Sequence, residues 1–568
     1  MEEESYAIIL CARDDADAER MTRMISSLQI PRNGDRPSPA EVIKVIGERR
    51  AAACNAAMRR SRARYKVYIG PEVTQVNPKM LIFAYRVFDS YERTGMVGFF
   101  GSSLPLGGDF RKARWTYGHA VWEDGQPDTV QDVMGVPGSF APRVQALDGA
   151  VIVTRVDVPW DEAVDDIFLA TAHVCALARE GYETRVSNTS ENERACITSR
   201  PSPYFWQVDD AVFERARRTF AARYADVLYP LVSIMIPAYN QPRFCREALE
   251  SALAQDYPNI EILIGDDSTD DRVKKALAPL LKAHPNIHYQ YRGDLPGEGT
   301  SANVHYLLNA CHGDYVNLLF HDDLIYPTKI SRMMAYYVED QEEEIAVVTS
   351  RRDFIDEEGR PLGEINRYRW SGDRIFRGTA LGREILLQQA NVIGEMSTVL
   401  LKRSLLQQGE IYETGIFCGY RERSMGDTST WLELMRAGHA CVFLGERLSA
   451  FRKHAEQNGQ NSDTLLLCSL DWLNFLVLAY MHGAFVTDAA MFEAGCRRWR
   501  TQIMESLPVY RAGISENGQE GLAILEEEFD AVAAEDWDRV IALSIRHMET
   551  MGADPAAILG GTPYADAR

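Results

Sequence analysis

The chain has 568 residues, 46% of them hydrophobic and 25% charged, and a formal net charge of −21. At about 100–200 residues per domain, that length argues for three units rather than one core. The composition excludes a disordered or fibrous chain, and the acidic balance excludes global attraction to nucleic acid or to an anionic membrane.

In chain order, the acidic start (Glu2, Glu3, Glu4) does not read as a secretory signal. Residues 6–11, 65–69, 96–101 and 150–154 read as strands, with a helix expected over 48–64. Strands alternating with helices predict an α/β domain with a largely parallel sheet over 5–188. Within it Arg49, Arg50, Arg59, Arg60, Arg62, Arg64 and Lys66 cluster. The run reads as a solvated basic helix face, the alternative being a patch for an anionic acceptor or partner. Pro201 and Pro203 break structure. Residues 209–224 read as a linker helix, with Val212, Ala216, Phe220 and Tyr224 at helical spacing.

A second α/β segment runs over 231–454. Residues 232–236, 260–264 and 315–320 read as strands, and Gln241 and Pro242 open a helix whose apolar face is Phe244, Ala248, Leu249, Ala252 and Leu253. Asp427 stands where a helix carrying Trp431, Leu432, Leu434 and Met435 begins, and Gly438 stops it. From 462 onward the chain reads as helical, with 522–529 and 537–548 as an amphipathic pair. The expected domains are 1–198, a linker at 199–230, 231–461, and a helical region at 462–568. Both α/β segments start with an apolar strand, place a carboxylate after an aromatic-rich strand, and end on a helix, a glycine and a strand. That order suggests two copies of one fold. No apolar run is expected to reach the ~20 residues that span a bilayer. The closest, 472–485, is interrupted by Asn474, His482 and Gly483 and reads as a buried helix. The ten cysteines form no C-x-x-C pair and read as a reduced, cytosolic set. The expectation is a soluble, cytoplasmic protein, with peripheral membrane contact left open.

Several polar groups fall where strands end, the place where open α/β sheets bind ligands. Pro237, Ala238, Tyr239 and Asn240 form one such loop; Asp266, Asp267, Ser268, Thr269 and Asp270 form another. Such residues are also what ordinary turns contain. Asp322 and Asp323 are adjacent carboxylates after the third strand. Their repulsion would be relieved by a divalent cation, and oxygen ligation suits Mg²⁺ or Mn²⁺; the alternative is a plain turn before Pro327. Asp427 is either a helix N-cap or a general base. Arg452, Lys453 and His454 could neutralise a diphosphate or be exposed basic surface. The glycines at 297 and 299 match part of a dinucleotide fingerprint, but Pro296 separates them from the strand at 287–291, and they are not read as a cofactor loop.

Taken together these motifs resemble family-2 glycosyltransferases over 231–454. Val232 to Asn240 is similar to the family's opening strand and loop, and Ile262 to Asp270 to its second strand, with Asp267 facing the nucleobase. Phe320 to Asp323 is similar to its D-x-D metal site, although Phe320 occupies the first acidic position. Gly426 and Asp427 with Trp431 resemble its catalytic-base motif, and Phe451 to His454 its late histidine segment. The resemblance implies a GT-A fold, a Rossmann-type α/β/α sandwich, and inverting, Mn²⁺- or Mg²⁺-dependent transfer from a nucleotide sugar such as a UDP-sugar. It implies Asp427 as base, Asp323 and His454 as metal ligands, and Pro237, Ala238, Tyr239, Asn240, Asp266, Asp267, Asp322 and Arg452 as donor contacts. The acceptor would be a hydroxyl on a glycan or protein. The first segment more distantly resembles a glycosyltransferase-like family of the same fold. Its metal position falls at Gly70, Pro71 and Glu72, and its late helix at Leu169 and Ala170 offers no base, though Asp165 and Asp166 are near. It is expected to be non-catalytic. Two other function classes stay open: nucleotide-sugar or carbohydrate binding without turnover, and an assembly protein that forms homo-oligomers through its helical tail.

Overall fold

The computed structural model describes residues 4–33, 36–47, 49–123, 130–134, 140–187, 194–201, 208–292, 299–340, 344–363, 370–407, 415–422, 424–454, 461–560 and 562. The chain divides into two compact units, Met1–Tyr229 with Tyr337–Glu343, and Pro230–Tyr336 with Glu344–Arg568.

In the first unit, Tyr6–Ala12 is buried at every position, as suits a strand covered on both faces. It pairs in parallel with Ala40–Ile46 and with Tyr65–Ile69. Val151–Thr154 runs antiparallel between Tyr65–Ile69 and Thr94–Gly98, and Glu183–Val186 closes the edge in parallel. The sheet is therefore mixed rather than largely parallel. Between Gly98 and Val151 the chain builds short strands of a second sheet and no α-helix among the described residues; a parallel return would need such a crossover. The helix expected over 48–64 is Arg50–Arg60. The basic run is not one solvated face. Arg50 pairs with Glu72 at 3.1 Å, and Lys66, a strand residue, is buried against Asp157 at 2.7 Å.

In the second unit the strand order is Ile287–Tyr291, Ile260–Asp266, Val232–Ala238, Tyr315–Leu318, Leu400–Lys402, Ile345–Ile355, Ala440–Arg452 and Leu324–Ile325. The first four are parallel. Leu400–Lys402 is antiparallel to both neighbours, and Ile345–Ile355 and Ala440–Arg452 are parallel to each other. The two units share one topology. In each, the opening strand sits between the next long strand and the third, an antiparallel strand lies beside the third, and a parallel pair completes the sheet. They are two GT-A-like α/β units in tandem. Part of the fingerprint-like stretch, Gly297 included, lies outside the described residues, as does Pro203; the helix Gly299–Ala310 follows.

The helices Ser462–Met481, Ala489–Gly513, Gln519–Ala533 and Trp537–Thr550 share one apolar core with the second α/β sheet. Leu381, Ile385 and Trp431 belong to the same buried cluster as Leu470, Leu473 and Trp499. Trp431 donates its Nε1–H to the Gly394 carbonyl (3.1 Å) and Trp499 to that of Ser469 (2.7 Å). A Cβ at Gly382 would overlap the Phe485 ring. The apolar run is longer than the 472–485 expected: the helix Ser462–Met481 reaches membrane-spanning length and hydropathy by composition, and most of it is buried inside the second unit. Its buried Asp471 and Asn474 interrupt the run in sequence. Inside the bundle they are bonded, Asp471 accepting from Tyr420 Oη (3.0 Å) and Ser424 Oγ (2.8 Å), and Asn474 from Ser544 Oγ (2.6 Å).

Candidate functional site

The ends of Val232–Ala238 and Ile260–Asp266 lie side by side, Pro237 opposite Gly265 and Ala238 opposite Asp266. Beyond them the two loops are laced together. Asn240 takes a left-handed φ of 52°, a conformation asparagine tolerates better than most residues. Its N–H donates to Ser268 Oγ (2.9 Å), and its Oδ1 accepts from the N–H and hydroxyl of Thr269 (3.0 Å each). Tyr239 is 52% exposed, which leaves its ring free to cover a ligand. Asp266 is fully buried and accepts from Tyr289 Oη (2.5 Å) and Ser268 N–H (3.0 Å). It braces the loop from inside rather than facing the cleft. Asp267 stands 3.4 Å from Arg292 Nε. Burial raises its pKa more than Arg292 lowers it.

Asp322 and Asp323 follow Tyr315–Leu318, and they point to different environments. Asp323 is 2% exposed. Its Oδ1 accepts the Arg452 N–H (3.1 Å), and burial, then Asp322, pushes its pKa well up against a hydrogen bond from Ser397. Below it Lys329 is fully buried and donates to the Ser397 carbonyl; burial pulls its pKa down to about 7. Asp322 is the carboxylate that meets His454, Oδ2 to Nε2 3.0 Å. The sequence-based pair of Asp323 with His454 is thus corrected to Asp322 with His454, because one residue along this tight turn reverses the side chain from cleft to core. Arg452 is corrected as well. Its side chain is 0% exposed, with Nε donating to the Asp322 carbonyl (2.8 Å), one arm to the Glu357 carbonyl (2.9 Å), and the other to Glu247 (2.6 Å). It clamps the Asp322 turn instead of reaching a diphosphate.

Asp427 lies inside the first turn of Gly426–Arg436; the cap position is Met425, with no side-chain cap bond. The N-cap alternative therefore does not hold. Asp427 Oδ1 accepts from the Thr428 N–H (2.6 Å) and Oδ2 from Asn391 Nδ2 (2.8 Å). Burial, then the charge of Glu395, pushes its pKa up to about 6, against the Thr428 hydrogen bonds and Arg352. Glu395 is itself held by Arg352, Nε to Oε2 2.6 Å. Glu422, just upstream, is pushed up to about 8, by burial and then Asp471. Asn391, Arg352 and Ser397 escaped the sequence reading. Arg352 lies in the polar stretch Thr349–Asp353 of its strand, and none of the three carried a signal that sets it apart from its neighbours.

In the first unit the corresponding strand ends border a cavity of about 420 Å³. Glu72, where the resemblance to the family places a metal ligand, is paired with Arg50, which also donates to the Gly149 carbonyl. Asp165 caps Asp166–Arg179, and burial raises the pKa of Asp166. Among the described residues of the chain, no group of three or more His, Cys, Asp or Glu side chains is gathered as a metal site.

Comparison with known proteins agrees with this doubling. Residues 7–224 match the family described as Glycosyltransferase like family, and residues 233–408 match Glycosyl transferase family 2. An uncharacterized glycosyltransferase of Rickettsia typhi is 39% identical over 18% of this chain and 31% of its own length. One from Rickettsia felis is 28% identical over 44% of this chain and 39% of its own. The chain thus spans well under half of these relatives. A putative teichuronic acid biosynthesis glycosyltransferase, TuaG, of Bacillus subtilis is 26% identical over 39% of this chain and 79% of its own length. Among solved structures, S. aureus TarS in complex with UDP-GlcNAc superposes with a TM-score of 0.39 at 13% identity, covering 56% of this chain and 92% of that one.

Proposed function

We propose that the second of the two glycosyltransferase family 2-like domains carried in tandem by this chain is a working transferase. It moves a sugar from a nucleoside diphosphate sugar, taken to be a UDP-sugar, to a hydroxyl on a glycan or protein, with inversion at the anomeric carbon. The observation that carries the proposal is Asp427. It is a carboxylate oriented by Asn391 at 2.8 Å, with a pKa raised to about 6, in the range where a base can both be ionised and accept a proton near neutrality. In this reading Asp427 takes the proton of the acceptor hydroxyl as its oxygen bonds to the anomeric carbon, and the bond to the diphosphate breaks on the opposite face. Tyr239, Asn240 and Asp267 line the donor's base and ribose, with Asp266 holding their loop.

A divalent cation fits Asp322 and His454. A carboxylate and an imidazole converge to 3.0 Å, and Mg²⁺ or Mn²⁺ commonly completes its shell with phosphate oxygens and water. Bound there, it would stabilise charge on the leaving diphosphate. The first domain is proposed to be non-catalytic, because the Arg50–Glu72 pair fills the place of its metal carboxylates. The setting is proposed to be cytosolic, a reading supported by ten cysteines that form no C-x-x-C pair. The second reading, binding without turnover, is favoured by the inward-facing Asp323. The test is release of UDP from a UDP-sugar panel with Mn²⁺ and with EDTA. Metal-dependent release that Asp322→Asn abolishes supports transfer; full activity in EDTA removes the metal from the proposal; no release with any donor favours the second reading.

A further inference from the structure

A cavity of about 570 Å³ lies inside the second unit, beside the base. That is within the ~300–1,000 Å³ typical of ligand pockets. One wall carries Asn391, whose amide donates to Asp427 at 2.8 Å, and Met425, two residues before Asp427. The opposite wall is built from the helical region, beyond the family match that ends at residue 408. Trp472 comes from Ser462–Met481, and Gln502 from Ala489–Gly513. A second indole, Trp370, lines the same cavity and is braced by Phe376 (4.5 Å) and Phe443 (5.3 Å). Trp472 is held edge-on by Phe475 (6.2 Å). Gln389, also lining the cavity, is buried. Its Nε2 donates to the Gly495 carbonyl (2.9 Å), while its Oε1 has no hydrogen-bond partner among the described residues.

An unspent buried amide oxygen is costly unless a ligand supplies a donor. Indole faces offer broad apolar surface, and primary amides offer one acceptor and two donors each. Those are the two chemistries a pyranose presents, a C–H face and a rim of hydroxyls. We propose that this cavity is the acceptor site and that the acceptor is a saccharide, seated on Trp472 and Trp370 with its hydroxyls on Gln389 and Gln502. Asn391, on the cavity wall, joins the seated sugar's site to Asp427 at 2.8 Å. The C-terminal helices are in this view the acceptor-recognition part of the enzyme. The proposal rests on the reading of Asp427 as base.

The test uses the full chain on an array of immobilised neutral and acidic oligosaccharides, alongside unglycosylated peptides. The parent is expected to retain at least one saccharide class. Gln502→Ala and Trp472→Ala are each expected to weaken that binding at least tenfold, with UDP affinity by calorimetry reporting on the donor pocket and the fold. Gln502 is only part-buried, so its variant keeps the test open if loss of Trp472 unfolds the bundle. Capture of no saccharide, capture of peptides instead, or parent-like binding by Gln502→Ala overturns the proposal. Saccharide binding that depends on Gln502, together with transfer that survives Asp427→Asn, would retain the cavity and discard the base.

Discussion

Asp427 is a carboxyl whose folded pKa, about 6, exceeds its ordinary 3.8. The folded protein therefore binds the proton more tightly than the unfolded chain. The stability this group contributes is fully present below about pH 4 and is lost as pH rises through about 6. Two consequences can be measured together. Transfer should rise with pH along a limb near 6 as the base ionises. Asp427→Asn should lower transfer by about 10²-fold or more, yet at pH 7.5 melt no lower than the parent and up to about 3 kcal/mol more stable, since a shift of about two units corresponds to that energy. The stability gap should close below about pH 4. A variant that melts lower at pH 7.5, or keeps its turnover, removes Asp427 from the role. The sequence singled out Asp427 because a family motif surrounds it. Which of Asp322 and Asp323 faces the cleft was not legible, because adjacent residues in a turn carry the same chemistry and only the backbone path separates them. Asn391 was illegible for another reason: it is a lone amide, brought to Asp427 only by the fold.

At the scale of elements, the strand Ile260–Asp266 shows how tightly the donor loop is set. Asn303 Nδ2 donates to the Gly265 carbonyl (2.7 Å), and a Cβ on Gly265 would overlap Asn303 Oδ1. Gly265→Ala should therefore displace Asn303 and, with it, one hydrogen bond that steadies Asp267. We expect a loss of about 1–3 kcal/mol in urea unfolding, the usual cost of overpacking, together with weaker UDP binding by calorimetry. Unchanged values in both would show that the helix Gly299–Ala310 yields freely. Strands such as Tyr6–Ala12 and Val232–Ala238 were readable because burial on both faces leaves an unbroken apolar run. The antiparallel Val151–Thr154 and Leu400–Lys402 were not readable as such, since strand direction depends on what connects the strands rather than on residues within them.

For the whole molecule, the C-terminal helices belong to the second unit's core and not to a detachable tail. Leu470, Leu473, Leu476 and Trp499 are buried in one cluster with Trp431 and Ile385, and each such side chain is worth about 1.5–3 kcal/mol of burial. Against a typical net stability of about 5–15 kcal/mol, a chain ending at residue 461 should aggregate rather than fold; a monodisperse truncated protein with native circular dichroism would contradict this. The same core holds a hazard that arises during synthesis, before any packing exists. As it leaves the ribosome, Ser462–Met481 presents 20 residues of membrane-compatible hydropathy to the machinery that inserts membrane proteins. Asp471, near its middle, sets a barrier there, because an aspartate at a helix centre costs about 2.5–3.5 kcal/mol on insertion scales while each leucine returns only about 0.3–0.6. The residue that accepts from Tyr420 and Ser424 in the finished protein would then also disfavour insertion, and Asp471→Leu should raise the share of newly made chain in the membrane fraction of a cell-free extract supplied with membrane vesicles; an unchanged share would contradict this.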